Sequence, residues 1–341
     1  MKPIEAVVEK GPNYAFHLMA VAGVGFESDY GERYRHTVAA ADRALLAELR
    51  DLLTFGDGRV GPLVLPVIFL PSYLNLDSVP AIREYFERLG RAVAGEPQAF
   101  LGRYQAPLRR LREDWLDAVD ERWLAAGAGF RDITARLGRL YARNFPTYEA
   151  EVWPAERPGM EEVASRLNRH FAGRDVIGAW ERFTGLEFRA ARYQIVLVSA
   201  TKNGPDANSL GYDRNVFYPY QDFDTMTQFI SHETGTHLLI DVIKAFTWPD
   251  AEGRVRLRGK GGPLYDFDLV YRGFENLCRF YNSLVLDAPV LYGMGEGYRA
   301  EEFDTVYRRL HASRPDMPPL EMLLTAVEEL GGLRDPGEPR T

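Results

Sequence analysis

The chain has 341 residues, 46% of them hydrophobic and 26% charged, with a net charge of −8. That length supports a sizeable core in one large or two ordinary domains, and the acidic balance argues against a general nucleic-acid binder, which needs a basic face. The single cysteine, Cys278, excludes an intrachain disulfide and a cysteine-built zinc cluster.

The first residues, 1–6, lack the apolar run of a signal peptide. The most apolar stretch, 61–76, is interrupted by Pro62, Pro66 and Pro71 and is too short to span a bilayer. A cytoplasmic protein without membrane contact is the expectation. Residues 21–26 and 293–297 are glycine-rich, but neither stretch sits between a strand and a helix, so both read as turns.

Residues 37–190 read mostly as helices. The first covers 37–53. The next opens with Pro80 in its first turn and carries the apolar stripe Ile82, Tyr85, Phe86, Leu89 and Val93. Residues 98–125 continue with Trp115, Leu116, Val119 and Trp123, and helices over 130–144, 160–171 and 176–183 follow. The Pro- and Glu-rich residues 146–158 read as a connection. They divide a mainly helical region, 1–150, from a second region, 151–335, unless the two form one continuous domain.

Residues 192–200 are β-branched and apolar, a strand signature. A polar loop, 202–209, leads to a second short strand over 215–220, which Pro219 assigns to a sheet edge. Asp222 and Asp224 are N-cap candidates, and Thr225 and Gln228 have capping-box spacing. The helix they open carries His232-Glu233-Thr-Gly-Thr-His237, a His-Glu-x-x-x-His pattern.

The familiar zinc-peptidase signature, His-Glu-x-x-His, is one residue shorter. Its chemistry asks for two neutral imidazoles on one face and a carboxylate able to take a proton from metal-bound water. At roughly 100° per residue, a spacing of five sets the second imidazole about 140° from the first. A regular helix would therefore separate His232 from His237, whereas a π-bulge would bring them together. Gly235 lies between them, where such an irregularity is easiest.

With its intervening residues the motif resembles the His-Glu-(Ile/Val)-Gly-Thr-His of the tubulin-tyrosine carboxypeptidase-like zincins and their bacterial relatives, which carry a Gln-Glu-Gly-Leu-Ala motif. The resemblance covers about a dozen residues around His232 to Leu239. It implies one zinc ion held by His232, His237 and a later helical glutamate, with Glu233 as general base. The Gln-Glu-Gly-Leu-Ala signature is absent, and Gly273-Phe-Glu275-Asn-Leu-Cys-Arg stands in its place.

Beyond the motif, Trp248-Pro249 is a stop signal, and residues 254–262 form a basic, glycine-rich loop. That loop reads as a solvated hairpin rather than an anion site, because charge runs usually face water. A helix over 265–284 follows. Glu275 stands there in apolar company and needs a partner, since burying a lone charge is costly. Zinc would supply one, making Glu275 the third ligand; an ion pair with Arg272 or Arg279 is the alternative. Asp266 and Asp268 compete as third ligand but lie where a helix cap belongs. Cys278 reads as core. Helices over 301–312 and 319–330 complete the chain, with His311 on a surface and residues 337–341 frayed.

The expectation is an α+β fold, mostly helical, with a small sheet preceding a zincin-type active-site helix. Its function is then zinc-dependent hydrolysis of an amide bond in a peptide, by an enzyme of peptidase or carboxypeptidase type. Glu233 is the base, and Tyr212, Tyr218, Tyr220 or Tyr281 the oxyanion donor. Two histidines and a carboxylate also suit a non-haem Fe(II) oxygenase. A metallohydrolase of a biosynthetic small molecule and a non-enzymatic helical interaction protein are the remaining alternatives.

Overall fold

The computed structural model describes the chain except residues 25–27, 57–58, 114–127, 203–206, 220–221, 260, 290–296 and 335–341. Tyr220, Trp115, Leu116, Val119, Trp123, residues 25–26 of the first glycine-rich stretch and residues 293–296 of the second thus lie outside the described residues. The fold is α+β and mostly helical, with a four-stranded, a two-stranded and a three-stranded sheet among the described residues. No described helix is long and apolar enough to cross a membrane.

Contacts divide the chain into two compact units, neither of them continuous in sequence. One holds Glu5–His170 and Gln194–Pro219; the other holds Met1–Ile4, Phe171–Tyr193 and Tyr220–Thr341.

In the first unit, helix Lys10–Ala22 is buried along almost its whole length. A helix buried on every side must satisfy its polar groups inside the protein. The Asn13 amide does so by donating to Leu197 O at 2.8 Å and accepting from Ser199 N at 3.2 Å. The stripe foreseen on helix Val79–Val93 is buried residue for residue: Ile82, Tyr85, Phe86, Leu89 and Val93. Its Tyr85 hydroxyl donates to Pro66 O at 2.6 Å, and the Tyr141 hydroxyl to Val67 O at 2.8 Å. The apolar stretch containing those carbonyls is a π-turn, Leu65–Phe69, running into helix Leu70–Tyr73.

Residues 146–158 are helical rather than a connection. Helix Ala128–Thr147 passes through a π-turn, Tyr148–Val152, into helix Trp153–Phe171. Proline cannot donate an intrahelical bond, and a wider turn placed between Pro146 and Pro154 lets the chain continue helically around that loss.

The four-stranded sheet has the order Ile4–Val7, Tyr193–Leu197, Arg214–Phe217, Ala207–Ser209. Tyr193–Leu197 and Arg214–Phe217 pair in parallel with Val196 opposite Val216. Arg214–Phe217 also pairs antiparallel with Ala207–Ser209. The strand expected at an edge is therefore internal, because Pro219 falls two residues past its end and removes no ladder donor. Gly211, at φ +96°, turns the hairpin between these strands.

In the second unit, helix Phe267–Leu286 is central and packs against Val176–Thr184, Phe223–Leu238, Ala300–Ser313 and Pro319–Glu329. The Tyr307 hydroxyl donates to Gly273 O at 2.9 Å, and Asn282 Nδ2 donates to Gln228 O at 3.1 Å. Both bonds fix neighbours to the central helix at particular turns.

Candidate functional site

The motif helix, Phe223–Leu238, begins at Asp222, whose carboxylate accepts from the Asp224 and Thr225 backbone N–H groups and from Thr225 Oγ1. Asp222, not Asp224, is therefore the cap. From Ile230 onward almost every position is buried. Gly235 meets the Trp180 indole so closely that an added Cβ would lie 2.2 Å from Cη2. Trp180 Nε1 donates to Ser231 Oγ at 3.2 Å. The glycine inside the motif thus seats an indole. It does not mark a π-bulge, because the helix is regularly α-helical from Phe223 to Leu238.

That regularity decides where the two imidazoles go. His232 Nε2 stands 3.3 Å from Glu275 Oε2 on the central helix, with only 4% and 15% of the two side chains exposed. His237, fully buried, leaves on another side of the helix and meets the Tyr193 ring edge to face at 5.2 Å. The π-bulge expectation is thus overturned: the two imidazoles diverge as a regular helix requires at this spacing.

Glu275 is drawn to His232 rather than to Arg272 or Arg279. Tyr271, one helical turn before it, hydrogen-bonds to the same carboxylate. The negative field of Glu275, then burial, then Tyr298, with a smaller contribution from Glu233, pushes the Tyr271 phenol far above its ordinary range. Glu233, the residue after His232, therefore acts together with Glu275 on the same phenol. Thr236 Oγ1 lies 3.4 Å from Glu233 Oε2. Asn276 Nδ2 donates to Tyr298 O at 2.7 Å and holds Tyr298 against the central helix.

Sequence reading missed Tyr271, although its position four residues before Glu275 was a usable signal. Tyr298 and Trp180 had none, being remote from the motif in sequence.

Asp266 caps the central helix through Leu269 N at 2.9 Å and pairs with Arg334. Asp268 is exposed in that helix's first turn. Tyr281 is six residues past Glu275, about 120° around the helix, and packs at 6.4 Å from Trp180. Tyr212 and Tyr218 belong to the other compact unit, Tyr212 buried within it. The Cys278 thiol is pushed well up by burial, then by Glu275 and Glu233, which suits a core residue and not a nucleophile. His311 is half-buried, edge-on to Phe280 at 5.6 Å, and not on an open surface. In the basic loop, Arg254 pairs with Asp250 and Glu252 and Arg258 donates to Phe246 O, as a hairpin should.

The arrangement fits a metal ion in part. Two donors on one tetrahedral zinc, each about 2.0–2.1 Å from it, stand about 3.3 Å apart, which is the His232–Glu275 separation. A third donor does not join them: among the described residues no three His, Cys, Asp or Glu side chains are grouped to hold an ion. No protein-family model, curated protein or solved structure matches this chain.

Proposed function

We propose that this chain is a metal-dependent hydrolase of amide bonds, acting on a peptide. The observation that carries the reading is the 3.3 Å approach of His232 Nε2 to Glu275 Oε2, with Glu233 following directly on His232. His232 and Glu275 would hold the ion, and His237, turned to the Tyr193 ring, would not join them. Zinc there would supply Lewis acidity and a readily ionised water.

The chain's own groups divide the remaining work. Glu233, one residue from His232, accepts the proton of the attacking water and returns it to the leaving amine. Tyr271 donates a hydrogen bond to Glu275 and fixes the orientation of its carboxylate.

Elemental analysis of protein purified without a metal-binding tag, together with hydrolysis of a peptide library, tests the reading. About one zinc per chain is expected, lost in His232→Ala and Glu275→Ala. Glu233→Gln should keep the zinc and lose hydrolysis by about a hundredfold or more. Protein that takes up no zinc after incubation overturns the proposal, and bound iron redirects it to an oxygenase.

A further inference from the structure

Helices Val79–Val93 and Ala128–Thr147, both in the first unit, frame an open groove of about 750 Å³. Its floor is apolar and shallow because small residues line both helices. Gly138 sits so close that an added Cβ would lie 2.6 Å from Phe86 Cβ, while a Cβ at Gly90 would meet nothing within 4 Å. Gly90, Ala94, Ala135 and Ala142 extend the floor.

The rims are basic. Arg83 and Arg91 stand on one helix, and Arg131, Arg139 and Arg143 on the other. Arg91 is held by Glu96 and Arg143 by Asp42. The guanidinium groups of Arg83, Arg131 and Arg139 make no ion pair or hydrogen bond with any described residue. On each helix the first two groove-lining arginines, Arg83 and Arg91 or Arg131 and Arg139, are eight residues apart, about 12 Å along the axis. Guanidinium groups spread along both rims exceed what one phosphate or carboxylate can engage. Exposed Glu87 stands in the same groove and would repel a continuous polyanion.

We propose that this groove docks an acidic amphipathic helix of a partner protein. The apolar stripe of such a helix lies on the glycine and alanine floor, and its flanking carboxylates reach the two rows of arginines. Opposed charge along both rims sets its register and speeds encounter.

The probe is a fluorescent, stapled helix of about 18 residues with a Leu/Ala stripe flanked by Glu. Its controls are a scrambled version and a Lys-for-Glu version. Anisotropy titration should show salt-sensitive, saturable binding to the full chain and little binding of either control. Arg83→Glu combined with Arg139→Glu should weaken binding at least about tenfold. Gly90→Phe, which fills the trough from open space, should do the same with an unchanged melting temperature. Absent binding overturns the proposal, as does equal binding of the scrambled helix or undiminished binding by a folded Gly90→Phe variant. Saturable binding of decyl phosphate, but not of the helix, would assign the groove to a small amphiphile instead.

Discussion

The Trp180 indole fills the space that a side chain at Gly235 would need, with Cη2 2.2 Å from the position of an added Cβ. One glycine therefore sets how closely the motif helix approaches helix Val176–Thr184. Gly235→Ala forces the indole or a backbone to move, an overpacking cost of about 1–3 kcal/mol. Urea denaturation should show that loss, and Trp180→Phe in the same chain should recover part of it. A variant as stable as the parent would contradict the packing.

His17 gives the acid limb of stability. Its imidazole is fully buried between Tyr30 Oη at 3.0 Å and Thr37 Oγ1 at 3.1 Å. Burial, with a smaller push from His36, lowers its pKa to about 3. Unfolding frees it to protonate near its ordinary 6.5. Its contribution is therefore fully present above pH 6.5 and is lost as pH falls from there towards 3, on the order of 5 kcal/mol in all. His17→Gln should flatten stability against pH in that window. An unchanged acid slope would rule out His17 as the titrating group.

Asp266 separates capping from metal binding. Its carboxylate accepts from Leu269 N and pairs with Arg334. Asp266→Ala should cost about 1–2 kcal/mol by thermal or chemical denaturation, with metal content per chain unchanged. Loss of zinc without loss of stability would return Asp266 to the ligand set.

Asn13 is the polar pin of the first unit. Asn13→Leu keeps the volume but leaves the buried Leu197 carbonyl and Ser199 amide without their partner. About 1–3 kcal/mol should be lost, because buried polar groups stripped of a partner bear the full desolvation cost. Asn13→Asp, which keeps the acceptor, should retain protection of the Ser199 amide against hydrogen exchange.

Much of the helical framework was legible in the residues. The stripe on Val79–Val93, the cap ahead of the motif helix and the terminal helices follow from local rules of period and capping. Local rules misled where a proline stood for a break. The helix through Pro146 and Pro158 continues across a π-turn, and Pro219 lies beyond the ladder it was read as closing. In both cases the neighbouring hydrogen bonds, which no single window contains, decide whether the lost donor matters.

The site shows the same division. The sequence by itself determined that His232 and His237 diverge on any regular helix, since five residues at 100° cannot share a face. It also determined that a carboxylate as apolar in its company as Glu275 needs a partner. Only the tertiary structure decided that the partner is His232, 43 residues away, and that Gly235 is reserved for Trp180. It likewise sent His237 to the Tyr193 ring. The physical reason is that periodicity specifies the angle at which a side chain leaves its own helix, whereas the group it meets depends on how separate helices pack.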